Sequence, residues 1–279
     1  MPPTVAIIAQ GAMGAGVAQR LTEHKVTVLT SLAGRSAQSA ARARAAGMTA
    51  VDERQLADAD FLLSIVPPGE ALALAKRLAP VLSAANTKPT YVDCNAVSPR
   101  TMQAIADVVL ETGCPFVAAC IIGPPPKPGS SNTKFYASGG AASDFARLND
   151  YGLIVRVLDG ELTAASALKM SYAGITKGFT ALAAAMLLAA TRAGAGDALH
   201  AELDESQPAL LGWLTQQVPI MYPKAYRWVA ELDEVAAFVG KDHPEHAMLA
   251  AAARLYERIA KDVAGEKQEI GALDEFLRE

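Results

Sequence analysis

The chain has 279 residues, of which 51% are hydrophobic and 19% charged, with a formal net charge of −4 at neutral pH. That length suits two modest domains, each able to bury a core. The mildly acidic balance, without a basic cluster, excludes a broad nucleic-acid-binding or anionic-membrane surface and leaves a small molecule as the expected ligand.

The first strand is expected to start at about Thr4, so that no leader peptide is expected before it. β-rich runs then place further strands at residues 26–30, 49–51, 61–66, 90–93 and 116–119, with alanine-rich helices between them, and two more around 135–137 and 154–157. Val5-Ala6-Ile7-Ile8 and the run from Phe61 to Val66 show no polar alternation, as parallel strands covered on both faces require. Beyond Gly160 the β-branched runs stop, and alanine, leucine and charged residues at helical spacing continue to the C-terminus. The first of these helices, residues 163–192, is long enough to run between domains, and Ser171, Gly174, Thr176 and Gly178 weaken it locally. No segment reads as a membrane span: the apolar stretch 181–190 lies between Lys177 and Arg192 and is far shorter than the roughly 20 residues a bilayer needs. Cys94, Cys114 and Cys120 are odd in number and lack C-x-x-C spacing, so core thiols in a reducing compartment are expected, and the cytoplasm is the expected location.

The first strand runs directly into Gln10-Gly11-Ala12-Met13-Gly14-Ala15-Gly16, which continues as a helix. In this context the glycines let the backbone approach a pyrophosphate, and the helix N-terminus offers it free N–H groups and a positive dipole end. Gly11, Ala12, Met13 and Gly14 therefore form the expected phosphate turn, with Ala9 where the first glycine of the fingerprint would stand. An NAD site needs an acidic residue at the end of the second strand; this chain has Ser31, Arg35 and Ser36 after Thr30, which suit a 2′-phosphate and favour NADP. The plainer reading of Arg35 is a solvated side chain beside a helix cap at Ser36. The fold class that follows is α/β: a Rossmann-type doubly wound parallel sheet over residues 1–160, then an all-α domain over residues 161–279 that holds the substrate.

These motifs resemble the β-hydroxyacid dehydrogenase and 6-phosphogluconate dehydrogenase superfamily over nearly the whole chain. Gly11-Ala12-Met13-Gly14 is similar to that family's glycine motif, Val66-Pro67-Pro68 to its nicotinamide-side loop, and Asp93-Cys94-Asn95-Ala96-Val97-Ser98-Pro99 to the segment whose polar residue, Asn95 in this chain, lies by the nicotinamide. Ile121-Ile122-Gly123-Pro124-Pro125 and the run from Lys224 to Leu232 resemble the branch with a phosphogluconate-dehydrogenase-like C-terminal domain. The resemblance implies that Lys169, on the interdomain helix, is the general acid and base, and that Ile122, Gly123, Tyr172 and Ala173 border the substrate. Physically, a lysine beside a substrate oxygen can give a proton as hydride reaches carbon, and partial burial near other groups can bring a lysine pKa toward neutrality. Its plainer reading is a helix lysine with its head in water.

Three departures bear on the substrate. Ala173 stands where family members carry asparagine, Ile122 where they carry serine, and Ala118 where an acidic residue is expected. These changes remove hydrogen-bonding groups for a carboxylate and a hydroxyl, so a bulkier, less polar substrate is expected, with Tyr172 either replacing a polar contact or simply packing. The reading is thus an NADP-dependent dehydrogenase or reductase acting on a carbonyl or alcohol carbon, with an imine reductase and an NADP-binding protein without turnover as alternatives. The resemblance and the alanine-rich helix faces imply a homodimer. His243-Pro244-Glu245-His246 reads as an exposed turn and not a metal pair, and Arg227 and Glu231, four apart on one helix, as a surface ion pair with Arg227 open to an anionic-substrate role.

Overall fold

The computed structural model describes residues 2–129 and 132–278 and divides the chain into two compact units, Met1–Lys169 and Met170–Glu279. The division falls inside the long helix, nine residues after the boundary read from the sequence at 160/161.

The first unit is an eight-stranded sheet of β1 (Thr4–Ile8), β2 (Thr27–Thr30), β3 (Thr49–Ala50), β4 (Phe61–Ser64), β5 (Thr90–Asp93), β6 (Phe116–Ile122), β7 (Lys134–Ser138) and β8 (Val155–Val157). Their spatial order is β3-β2-β1-β4-β5-β6-β7-β8. The first six strands are parallel, β7 runs antiparallel to β6, and β8 lies parallel to β7. Strand order reverses between β1 and β4, the switch point outside whose carboxyl ends an open α/β sheet binds its ligand.

Successive residues of a strand point to opposite faces, and the two faces carry separate cores. Val5 and Ile7 pack with α1 (Ala12–Glu23), α2 (Ala37–Ala45), Phe135 and Phe145, while Ala6 and Ile8 pack with α3 (Ala71–Ala84) and α4 (Pro99–Leu110). Of the five buried positions of α1, Gly14, Val17, Ala18 and Leu21 follow the three-four spacing of one helical face, and Ala15 lies beside it. All three cysteines are buried and free.

Two strands differ in extent from the sequence reading, for local reasons. β4 stops at Ser64, and the N–H of Val66 is taken by the Asn95 side chain at 2.7 Å instead of a neighbouring strand. β6 continues through Ile122 because the antiparallel partner β7 pairs Ile121 with Phe135 and Ile122 with Lys134. Ile122, expected in a loop, is therefore the last residue of a strand.

After the short α5 (Ala142–Phe145) comes α6 (Ala164–Arg192), whose first turn is tied to the sheet by Ser138. That hydroxyl donates to the Leu162 carbonyl at 2.7 Å and accepts from the Ala165 N–H at 3.0 Å, so that β7 satisfies a free N–H at the start of the helix. By length and composition α6 is sufficient to cross a bilayer, with a third of its most apolar window buried. The apolar stretch 181–190 is only part of this 29-residue helix, toward its C-terminal end.

The second unit adds α7 (Gly196–Ser206), α8 (Pro208–Met221), α9 (Ala225–Val239), α10 (Glu245–Ala264) and α11 (Gln268–Phe276). Its core gathers Leu232, Val235, Tyr256 and Ile259, with Trp228 edge-on to Tyr256 at 5.2 Å.

The crossing of α1 over the end of β1 requires glycine at position 14, because a Cβ there would collide with the main-chain oxygen of Ala9. Replacing a helical glycine by alanine gains up to about 1 kcal/mol of propensity. Overpacking against backbone, which cannot swing aside, costs about 1–3 kcal/mol, so the collision wins. Gly14→Ala should lower the urea midpoint with an unchanged slope; an equal or higher midpoint would refute the contact.

Candidate cofactor and catalytic site

Four turns converge on the carboxyl edge of the parallel strands. The first follows β1. Gly11 is the N-cap of α1, no side chain caps that end, and its first turn holds no acid. Gly11 is exposed, and a Cβ added to it would meet nothing within 4 Å. Ala12 is exposed beside it and Met13 is half-buried against the core. An uncapped helix end with open space over its first glycine is what a pyrophosphate needs, so these residues fit a dinucleotide.

The second turn follows β2. Ser31 is buried, and its hydroxyl accepts weakly from the Ala33 N–H at 3.4 Å. Ser36 is the N-cap of α2, accepting from the Ser39 N–H at 3.2 Å and facing the Ser39 hydroxyl. Arg35 is exposed, and its side chain has no partner among the described residues. Sequence reasoning missed Gln10 and Arg42 in this region. Gln10 is buried, with its side chain laid across to β2, and Arg42 donates to the Gln10 main-chain oxygen at 2.8 Å.

The third turn follows β4, where Pro67 and Pro68 open a single helical turn, Pro68–Glu70. The Val66 N–H is held by Asn95 Oδ1. The Asn95 amide nitrogen donates to the Ser64 hydroxyl at 2.8 Å and to both carboxyl oxygens of Asp93 at 2.9 Å, and the Asn95 main-chain N–H reaches Asp93 at 3.0 Å. Asn95 is 2% exposed and its two amide hydrogens are engaged within the protein. Its part in this structure is to hold the Val66 backbone, not to present a free donor. Asp93, fully buried without a cation, is the residue the sequence reading quoted but gave no role. An acid closing an apolar strand was the available signal, since such a group must find donors. Burial pushes its carboxyl up to about 6, against the hydrogen bonds from Asn95 and Ser64 that favour the ionised form.

The fourth turn follows β6. Lys169, half-buried on the second turn of α6, donates through Nζ to the Ile121 main-chain oxygen at 2.7 Å. Its charge lies near Cys120, whose thiol burial nevertheless pushes up to about 11. Ile122 is half-buried, and Gly123 follows it with φ +131°, a value for which a side chain would be strained against Asn132 and Thr133. Ala118 is wholly buried.

Within the second unit Tyr172 is exposed, whereas Ala173 is buried and offers a ligand no surface. Glu231 does not pair with Arg227: it forms a half-buried ion pair with Lys177, whose ammonium lies 5.3 Å from the Trp228 ring centroid. Arg227 is exposed, and Lys224 beside it is held below the ordinary lysine range by burial and by the Arg227 charge. His246, on α10 and not in a turn, sets Nδ1 2.8 Å from the Ala236 carbonyl.

Asp93 makes stability pH-dependent with a definite sign. Its folded pKa, about 6, lies above the ordinary 3.8, so its contribution is present below about pH 4 and lost as pH rises through 6. Two pKa units correspond to about 3 kcal/mol. Denaturation of the wild type and Asp93→Asn at pH 4.5 and 8 should show the wild type losing stability relative to the non-titrating variant as pH rises. A difference independent of pH would refute the assignment.

Residues 4–151 match the family model described as the NAD binding domain of 6-phosphogluconate dehydrogenase, and residues 190–259 match a domain of unknown function, DUF1932. A conserved protein of unknown function, whose structure is described as similar to 3-hydroxyacid dehydrogenases, is 29% identical with a TM-score of 0.73 over 94% of this chain and 98% of its own. Mycobacterium tuberculosis 3-hydroxyisobutyrate dehydrogenase with L-serine is 19% identical, with a TM-score of 0.74 over 95% and 96% of the two chains. The Aspergillus terreus reductive aminase in complex with NADPH and ethyl levulinate is 16% identical, with a TM-score of 0.57 over 99% and 100%. At such identities the last two show a shared fold. The glycine turn at a topological switch point and the family match over 4–151 agree: this chain belongs to the family defined by the NAD-binding domain of 6-phosphogluconate dehydrogenase, the nicotinamide-dependent dehydrogenases and reductases.

Proposed function

We propose that the protein is an NADP-dependent dehydrogenase or reductase acting on a carbonyl or alcohol carbon of a small, weakly polar substrate, with Lys169 as general acid and base. The observation that carries the reading is the Lys169 ammonium, fixed on the Ile121 carbonyl at the same carboxyl edge as the glycine turn. A nicotinamide, when bound, supplies or receives the hydride. Reduction of C=O then needs one proton at oxygen, and an ammonium held by one hydrogen bond keeps two N–H groups for that task. In the reverse direction the neutral amine takes the hydroxyl proton. The Ile121 carbonyl orients the head of Lys169, and Ser138, by capping α6, fixes the helix that carries it. Asn95 and Asp93 hold the Val66 loop, and Gly11 with the first turn of α1 receives the pyrophosphate.

Ile122 supports the weakly polar substrate, since it offers no hydrogen bond where the family places a serine, whereas Ala118 lies wholly buried in the sheet and meets no ligand. The same apolar surroundings favour one second reading, reduction of a C=N bond. A protein that binds NADP without turnover is the third.

Lys169→Met should lower turnover by at least about 100-fold, the usual worth of acid–base catalysis, while leaving the NADPH dissociation constant unchanged. Near wild-type turnover would remove Lys169 from the mechanism. The substrate is found by following NADPH oxidation with aldehydes, β-keto acids and cyclic imines: turnover of cyclic imines alone would favour the second reading, and tight NADPH binding without any oxidation the third.

A homodimer is proposed from the exposed face of α6. Tyr172, Ile175, Phe179, Leu182 and Met186 are exposed apolar residues whose spacing alternates three and four, the seam pattern of packed helices. The half-buried Lys177–Glu231 pair is better suited to a protein interior than to hydrocarbon. Sedimentation of the purified protein should give twice the 29.1 kDa chain mass, and Ile175→Glu combined with Leu182→Glu should give the monomer. A wild-type monomer, or recovery only in detergent-extracted membranes, would overturn it.

A further inference from the structure

Gln10, between β1 and Gly11, is 1% exposed and points its side chain into the protein. Its amide nitrogen donates to the Ser31 main-chain oxygen at 2.8 Å and to the Thr30 hydroxyl, which in turn donates to the Ile7 carbonyl at 2.7 Å. That relay fixes which end of the carboxamide is the donor. It also leaves Gln10 Oε1 buried without a partner. An orphaned acceptor is costly, so the side chain is retained for its other end, which clamps the end of β2 to the glycine turn.

The main-chain oxygen of the same residue receives Arg42 Nη1 at 2.8 Å. Arg42 is half-buried on α2, the helix that begins directly after Arg35 and Ser36. A guanidinium carries five N–H donors, and this anchor uses one. No carboxylate pairs with Arg42 or Arg35 among the described residues, and the first turn of α2 holds no acid. A partly desolvated cation without a counter-charge is unfavourable until an anion reaches it. The arrangement lies between the two turns that receive the adenosine half of a dinucleotide: the residue before Gly11 on one side and the end of β2 on the other.

We propose that Arg42 is a second cation for the 2′-phosphate of NADP, held in place by the Gln10 carbonyl, and that it and Arg35 together set the preference for NADP over NAD. This rests on the NADP reading of the site and adds to it a residue that the loop after β2 does not contain. Arg35, exposed and untethered, supplies charge from the solvent side. Arg42, anchored, supplies a guanidinium whose position is fixed before the ligand arrives, so less ordering is needed on binding.

Equilibrium binding of NADPH and NADH to the wild type, Arg42→Met, Arg42→Lys and Arg35→Met, at low and high salt, tests it. Arg42→Met should weaken NADPH by at least about tenfold, the scale of one charge-assisted hydrogen bond, with NADH changed by less than about twofold. Its NADPH binding should also depend less on salt than that of the wild type. Arg42→Lys, which keeps the charge, should recover part of the affinity and guards against a folding defect in the methionine variant. Equal losses for both cofactors would make Arg42 only a brace of the glycine turn and overturn the proposal, as would no loss for either. A wild type that prefers NADPH, with the preference abolished by Arg35→Met and untouched by Arg42→Met, would sink the role of Arg42 while leaving the NADP reading intact. A wild type without preference would overturn both.

Discussion

The close approach of α1 to the end of β1 is the constraint on which the first unit depends. A helix can begin so near the strand it follows only if the residue facing the strand has no side chain, and Gly14 meets the Ala9 backbone at that point. Once α1 is seated, Gly11 is left open at its N-terminus and Gln10 is turned inward, where its side chain reaches β2 and its carbonyl receives Arg42. The open N-terminus of α1, the clamp on β2 and the anchored arginine all adjoin this one steric contact. The missing fingerprint glycine at position 9 does not disturb this, because the tight contact is made at Gly14.

A second constraint comes from polar groups at the ends of buried strands. β4 and β5 are buried on every residue, and both end in side chains that hydrogen-bond: Ser64 and Asp93. A carboxyl in that setting prefers its proton, which is why burial outweighs three stabilising hydrogen bonds in setting its pKa. The benefit is rigidity. Asn95 has its amide hydrogens fixed on Asp93 and Ser64, and so offers a single, oriented acceptor to Val66. The backbone at Val66 is thereby set by the core of the sheet instead of by its own flexible residues.

The centre of the sheet was legible in the sequence because a parallel strand covered on both faces is a continuous apolar run, as in β1 and β4, and strands also formed at the other six β-rich runs, among them the exposed β3 and the antiparallel β7. Their ends were less legible, since an end is decided by a partner elsewhere: Asn95 draws Val66 out of β4, and β7 draws Ile122 into β6. Gly11 and Gly14 could be read from spacing and context. Lys169 could not, because nothing local distinguishes it from any helix lysine, and only the resemblance singled it out. Arg42 is the clearest limit. Arg42 and Arg44 flank the buried Ala43 in an alanine-rich helix, and which of them faces the glycine turn depends on how α2 is rotated against the sheet. The Glu231 pairing failed for the same reason: the four-residue spacing to Arg227 is real, but Lys177 on another helix offers a half-buried partner, and an ion pair is stronger where water is scarce.

The proposed role of Lys169 also bears on what kind of substrate the protein can take. Around Lys169 the chain supplies one cation, one main-chain carbonyl already engaged with it, an isoleucine and a glycine with φ +131°. Such a set can protonate or deprotonate an oxygen or nitrogen, but it has few groups with which to recognise one. Selectivity among apolar groups rests on shape, where a methylene changes the rate by about 10–200-fold. A site built on hydrogen bonds discriminates far more sharply, because a wrong substrate leaves polar groups unpaired. On the proposed reading, an edge with Ile122 in place of a serine exchanges strict selection for tolerance. The proposed cofactor side is different, because there Gln10, Arg42, Asp93 and Asn95 form a fixed hydrogen-bonded frame.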